Sequence, residues 1–391
     1  MLSTFYINNK QLSLSRFPVE QTNRSLQAWD AADEYLINYL NENNLLNNTD
    51  NTKAQEILVF NDSFGAISLS CSIQKVYSVN DSYISHQGLL YNQQVNQTCL
   101  LQNNNVTLLS SLAKLPCNVN IILYKIPKSK SLLIAQLMQI KNIMHENTLF
   151  IAAARAKDIH SSTLKLFEKY IGDTTTSLAV KKARLVFCKK NQMAEFNNPF
   201  PTVWPLENTH FTISNHANVF AREQLDLGAR FFLQHLPKVK SNARVIDLGC
   251  GNGVIGLSLL ANQAVSVQNS MLVTFIDESY MAVASAKDNI ENNLPNLSTQ
   301  CKFINNDCLT NIVSESTDLI LCNPPFHQQQ AVTDHIAWQM FKDSYRVLKK
   351  DGELRIIGNR QLGYHVKLQR LFSKTTLIAS NKKFVVISAF K

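Results

Sequence analysis

At 391 residues the chain is too long for one small module and, at roughly 100 to 200 residues per domain, predicts two domains. Apolar residues make up 45% and charged residues 17%, against roughly 25% charged in an ordinary globular protein, so a sizeable core is affordable. No window approaches ~18 uninterrupted apolar residues, and Met1 to Phe17 carries neither a basic nor an apolar leader region, which predicts a cytoplasmic protein without a membrane partner.

In chain order, a helix is predicted around Leu26 to Asn43, followed by an asparagine-rich connection from Asn43 to Thr52. Fourteen Lys or Arg face four Asp or Glu between Lys114 and Lys190, a local +10 in a chain of formal net charge +9. Such a concentration suits a phosphate backbone, whose neutralisation releases counterions; the alternative is a solvated basic face without a partner. Pro199, Pro201 and Pro205 then fall in a segment without apolar periodicity, which sets the expected boundaries: a first domain over 1–190, a linker over 191–207 and a second domain over 208–391.

Downstream, apolar strands at Ala243 to Leu248, Met271 to Ile276, Lys302 to Ile304, Asp318 to Cys322 and Glu353 to Gly358 alternate with helical patterns at Val254 to Asn262, Tyr280 to Asn292 and Asp334 to Leu348. That alternation predicts an α/β, mostly parallel, doubly wound (Rossmann-like) sheet with its ligand site at the carboxyl ends of the strands. The eight cysteines form no CxxC pair and several lie in strand-like runs, so reduced core thiols are expected, with no metal site.

The first of these strands runs into Asp247-Leu248-Gly249-Cys250-Gly251-Asn252-Gly253. Gly249, Gly251 and Gly253 permit positive φ and let a cofactor lie against bare backbone beside the amides of a helix start. Asp247 sits at the strand tip. Asp277 ends the next strand, placed to accept two hydrogen bonds from ribose hydroxyls, and Asp307 ends the third, placed to accept from an adenine amine. Together they describe a nucleoside pocket for either NAD or S-adenosylmethionine.

The fourth strand decides between these cofactors, because it leads into Asn323-Pro324-Pro325-Phe326. Two prolines cannot continue a central strand, so the backbone leaves the sheet there. An exocyclic amine conjugated to a purine is a poor nucleophile until acceptors hold both hydrogens. The Asn323 side-chain oxygen and the Pro324 carbonyl, left free because Pro325 has no N–H, supply them, and Phe326 can stack on the base. No base is needed before attack, since the proton leaves after the positive charge forms, and positioning supplies much of the rate.

The chain also repeats itself. Gly65-Ala66-Ile67-Ser68-Leu69-Ser70 matches Gly253-Val254-Ile255-Gly256-Leu257-Ser258 without gaps, which sets Val59 opposite Asp247, Asn61 opposite Gly249 and Ser63 opposite Gly251. Asn80 through Tyr83 parallels Asp277 through Tyr280, and Ile121 through Pro127 parallels Leu319 through Pro325, with Lys125 where Asn323 stands. The first half keeps the strands and loses the chemistry. Lys125, Lys128 and Lys130 are expected at its old cofactor mouth, facing a polyanion together with Arg155, Lys181, Lys182 and Arg184.

The glycine loop with Asn323 to Phe326 resembles class I S-adenosylmethionine-dependent methyltransferases of exocyclic amines and amides. With Ala154 to His160, Lys181 to Leu185, Phe220 to Leu233 and Asn323 to Trp338, the two-domain plan resembles the bacterial ribosomal RNA guanine-N2 methyltransferases, the large-subunit branch more than the small-subunit one. The resemblance implies two tandem methyltransferase domains, the first degenerate, and N2-methylation of a defined guanine in 23S RNA. Because the base must leave its stack, naked or partly assembled RNA is the expected substrate, and a monomer is expected. Asn323 to Phe326 would be catalytic, and Asp247, Gly249, Gly251, Gly253, Asp277, Asp307 and Asn323 would hold S-adenosylmethionine. Phe220 to Leu233 would place a helix start near Gly228, and Arg355, Arg360, Lys367 and Arg370 either touch RNA or face solvent. Rival readings are the 16S RNA, a protein glutamine amide, a DNA adenine, and a non-catalytic assembly factor.

Overall fold

A strand buried on both faces needs a nearly continuous apolar run; Ile57 to Phe60, Ile121 to Tyr124 and Leu319 to Cys322 are unbroken, and Val245 to Leu248 is interrupted only by Asp247. In the computed structural model, which describes all residues except 1–2, 8–9, 20–25, 47–54, 99–104, 192–195, 264–269 and 326–330, these runs are the central strands of two sheets. The chain divides into two units, Met1–Pro199 and Phe200–Lys391.

The first unit opens with an antiparallel hairpin, β1 (Ser3–Ile7) and β2 (Lys10–Leu14), and the helix Ala31–Glu42. Then follow β3 (Glu56–Phe60), β4 (Lys75–Asn80), β5 (Val106–Ser110), β6 (Ile121–Lys125), β7 (Leu149–Arg155), β8 (Gly172–Thr176) and β9 (Ala183–Lys190). Their order in the sheet is β5-β4-β3-β6-β7-β9-β8, parallel except for β9, which runs against both neighbours. The second unit repeats this with the hairpin β10 (Thr202–Pro205) and β11 (Thr212–Asn215), then β12 (Arg244–Leu248), β13 (Leu272–Asp277), β14 (Cys301–Asn305), β15 (Thr317–Cys322), β16 (Leu348–Asn359), β17 (Lys374–Ser380) and β18 (Phe384–Phe390). The order β14-β13-β12-β15-β16-β18-β17 is the same path. Alternate side chains feed two apolar layers, Val245 and Phe275 on one face, Ile246 and Ile276 on the other.

The predicted alternation of strand and helix is present. Absent from the prediction were both hairpins and the antiparallel edge. β10 lies inside the expected linker and pairs with β11, because Trp204 and Ile213 face the core there although they are too few to show a period.

Strand pairing reproduces the internal repeat to the residue. Val59 pairs with Leu123 and Phe60 with Val79; at the matched positions Asp247 pairs with Leu321 and Leu248 with Ile276. The repeat also reaches the hairpins. In the first unit Asn92 accepts from Ser15 N and donates to Ser15 O and Phe64 O, while Asn96 accepts from Ser13 N and donates to Ser13 O. In the second, Asn289 accepts from Ser214 N and donates to Ser214 O and Asn252 O, and Asn293 does the same with Thr212. A pair of asparagines one helical turn apart thus staples the hairpin to the helix behind the glycine loop, each bond contributing about 1 kcal/mol net.

Candidate active site

The turn after β12 is fastened from below. Gly249 and Cys250 donate their amides to Ile276 O, Gly253 donates to Cys250 O, and Gly251 donates to Asp277 Oδ2 at 3.0 Å. The expectation of available amide donors at the helix start is corrected at two positions: Val254 N goes to Asn252 Oδ1 and Gly256 N to Asp247 Oδ2. The glycines also divide by role. At Gly253, φ +76°, an added Cβ would stand 2.8 Å from Ala286 Cβ, so this residue serves helix packing. At Gly251, φ +53°, an added Cβ would meet no atom within 4 Å. That open side is where a ligand can lie against backbone.

Asp247 is fully buried; its Oδ2 accepts from Gly256 N at 2.8 Å, and its Oδ1 has no partner. Burial pushes its carboxyl up to about 7, against the Gly256 amide that lowers it. Such a group is short of one donor or one positive charge. Asp277 takes the Gly251 amide on one oxygen and the Ser279 amide on the other, which locks the tip of β13 to the glycine turn. Asp307 is 6% exposed and accepts from Gln339 Nε2 at 3.1 Å; burial raises its carboxyl above the usual range.

Asn323 follows β15 directly, and its carbonyl lies 3.9 Å from where a Cβ on Gly249 would be, so the strand tip touches the glycine turn. Its side-chain oxygen is buried without a hydrogen-bond partner, and Pro324 beside it is buried. Phe326 lies outside the described residues. The structure thus brings two unmatched acceptors, Asp247 Oδ1 and Asn323 Oδ1, to neighbouring strand tips beside an open backbone face. A buried acceptor left alone costs about 1 to 3 kcal/mol, and the ammonium of S-adenosylmethionine or a base amine would supply the missing donors. The residues present fit that cofactor.

Among the residues expected to meet RNA, Lys125 is corrected. It is nearly buried, and its Nζ lies 2.7 Å from both Asp30 and Asp33. Although burial pulls it down, the Asp33 and Asp30 carboxylates raise its ammonium above the usual lysine range; an ion so held is not offered to a phosphate. Lys128, Lys130 and Lys182 are exposed. Arg155 pairs with Asp158 and Lys181 with Glu34, but Lys181 stays 71% exposed. Arg184 is half-buried with an unpartnered Nε. In the second unit Arg355 pairs with Glu353 and donates to His235 O, so it holds the sheet together rather than facing RNA.

Sequence reading missed the buried link from Asn252 Nδ2 to Asn215 Oδ1, while Asn252 Oδ1 accepts from Val254 N. It ties the hairpin to the glycine turn. In the first unit Phe64 replaces Asn252, and the Arg16 guanidinium lies over its ring at 5.0 Å. The recurring asparagine pairs, at the same offset as Tyr83 and Tyr280, were the available signal.

The family model described as "RLMG N-terminal domain" matches residues 2–192, and "Methyltransferase small domain" matches 210–388. Ribosomal RNA large subunit methyltransferase G of Colwellia psychrerythraea is 59% identical, with both chains covered in full. The same enzyme of Pseudoalteromonas translucida is 51% identical over 98% of this chain and 97% of that one. Among solved structures, the T. thermophilus 16S rRNA N2 methyltransferase, in complex with AdoMet and guanosine, superposes with a TM-score of 0.77 at 17% identity, over 100% of this chain and 98% of that one. That likeness extends the two-unit fold over the whole molecule. With an intact glycine turn, its acids and the Asn-Pro-Pro run in place, the chain belongs to the ribosomal RNA large subunit methyltransferase G family.

Proposed function

We propose that the second unit methylates the exocyclic amine of a guanine in 23S ribosomal RNA, and that the first unit holds the RNA. The observation that carries this reading is the buried, unpartnered Asn323 Oδ1 beside the glycine turn: an acceptor waiting for an N–H. S-adenosylmethionine supplies an electrophilic methyl group when bound. Asn323 Oδ1 and the Pro324 carbonyl hold the two amine hydrogens and direct the nitrogen lone pair at that methyl. Asp277 orients the ribose, and buried Asp247 balances positive charge on the bound cofactor. The amine proton leaves after transfer, so positioning carries the rate. The guanine must leave its stack, at a cost of a few kcal/mol that is smallest in unpaired RNA, which favours naked or partly assembled 23S RNA.

Lys128, Lys130, Arg155, Lys181, Lys182 and Arg184 supply the positive face on which the first unit holds phosphates. The enzyme acts on this reading as a monomer in the cytoplasm. No helix among the described residues is long and apolar enough to cross a membrane.

Tritiated S-adenosylmethionine offered with naked 23S RNA, 16S RNA, assembled subunits and a glutamine-bearing release-factor protein separates the rivals. Label on 23S RNA that disappears with Asn323→Ala is expected. Label on protein or 16S RNA alone, or label surviving in the variant, overturns the reading.

A further inference from the structure

Between Leu354 and Lys391 the chain carries eight Lys or Arg and no Asp or Glu. Outside the basic first-half stretch the chain sums to −1, so this tail is hidden in the total. The structure sorts these cations. Arg355 and Lys391 are tied to Glu353 and Glu315. Lys367 lies in the last turn of the helix Tyr364–Gln369 with its ammonium over the Tyr364 ring at 5.6 Å, and Arg370 caps that helix. Lys374 begins β17 opposite Phe390, at the far edge of the sheet from Asn323. Arg360, Lys382 and Lys383 remain, all exposed, with no carboxylate partner among the described residues.

These three meet at one place. Lys382 and Lys383 form the two-residue turn between β17 and β18, where Asn381 Oδ1 accepts from the amides of Lys383 and Phe384, and Arg360 donates its amide to Lys383 O at 2.9 Å. Asn359 pairs with Phe384, and Cys322 with Ile356, so the turn stands on the carboxyl edge of the sheet, the same edge as Asn323. From Asn323 it lies two strands across, roughly 10 Å, and three residues further out, roughly 10 Å, given about 4.8 Å between strands and 3.3 Å per residue.

The first unit has the same device. Lys181 and Lys182 occupy the matched turn between β8 and β9, and Ala156 N donates to Lys182 O as Arg360 N does to Lys383 O. There both lysines take left-handed backbone, φ +46° and +66°, where Asn-Gly is the favoured pair. Two different turn conformations thus present the same two charges.

We infer that Arg360, Lys382 and Lys383 form a phosphate contact for the RNA strand flanking the methylated guanine, built on the catalytic unit itself. The inference rests on the RNA reading above and adds a contact that the basic first half does not supply. Three cations within one or two nucleotides of Asn323 would hold the backbone on the edge while the base is turned out of its stack. Lysine ammonium groups act as point charges, so the contact carries no base preference of its own.

The test measures affinity of 23S RNA for the full chain carrying Arg360→Gln, Lys382→Gln and Lys383→Gln together, across a salt series, beside the wild type and an Arg370→Gln, Lys374→Gln variant of the far edge. Each lost phosphate contact should lower the slope of log affinity against log salt by about 0.7, about 2 in all for single-stranded RNA. KM for RNA should rise while calorimetric affinity for S-adenosylmethionine and the melting temperature stay put, and the far-edge variant should match the wild type. An unchanged slope and KM, or an equal loss in the far-edge variant, overturns the contact. If the triple variant melts early, Lys382→Ala with Lys383→Ala, which leaves the Asn381 bonds in place, must lower the slope by about 1.4; no change there is equally fatal. Failure of the wild type to label RNA would instead sink the RNA reading.

Discussion

In the first unit the turn after β3 closes on itself. Asp62 accepts the amides of Gly65, Ile67 and Ser68 and the hydroxyl of Ser68. In the second unit the matched loop position is Cys250, and the amide of Gly256, counterpart of Ser68, goes to Asp247 on the strand. Moving the acid from strand to loop satisfies the first-turn donors and leaves no oxygen unmatched. Asn61, at φ +61° where Gly249 has +68°, sends its side chain to Lys125 O and Gln136, bridging turn and strand tip. Lys125, in the place of Asn323, spends its charge on Asp30 and Asp33. A silent site is one whose polar groups have found each other; an active one keeps acceptors in deficit that a ligand can satisfy.

The sharpest way to break this contrast is through Asp247. Its folded value of about 7 stands above the 3.8 of an ordinary aspartate, so its contribution to stability is fully present below pH ~4 and is lost as pH rises through 7. At 1.36 kcal/mol per unit the loss is at most about 4 kcal/mol in the ligand-free protein. The difference in unfolding free energy between Asp247→Asn and wild type should therefore grow in the variant's favour from pH 5 to 8; a difference independent of pH would remove Asp247 as the strained acid.

Next come the two residues at one position of the repeat. Lys125→Met should cost about 3 kcal/mol of stability, since it strands two carboxylates, while leaving methyl transfer by the folded fraction intact. Asn323→Ala should leave the melting temperature alone and cut kcat by roughly 100-fold, as loss of a preorganised hydrogen-bonding group does. Denaturant titration paired with single-turnover methylation reads both, and an exchange of the two phenotypes would refute the assignment.

The smallest effect concerns the second strand tip. Asp277→Ala should weaken S-adenosylmethionine binding by about 1 to 3 kcal/mol, whereas Asn80→Ala, its counterpart, should not alter it. Calorimetry showing equal affinities for Asp277→Ala and wild type would move the ribose contact elsewhere.

Much of this was legible in residue order. The glycine turn, the three acids, Asn323 and the repeat register all announce themselves, because a parallel strand buried on both faces is largely apolar and its acids stand out near the carboxyl end. The hairpins were not, since β1, β2, β10 and β11 are too short to show a period. Lys125 misled because a lysine beside a lost cofactor mouth looks free until Asp30 and Asp33, more than 90 positions away, are folded against it.

By itself the amino-acid order determined two copies of one α/β fold, which of them keeps the glycine loop and the Asn-Pro-Pro run, and where the strands end, since apolar run length and glycine density are local properties. Which polar groups are satisfied and which are left wanting was decided by tertiary structure alone. Hydrogen bonds and ion pairs across a sheet edge join residues far apart in the chain, and whether a charge is free depends on what folds against it.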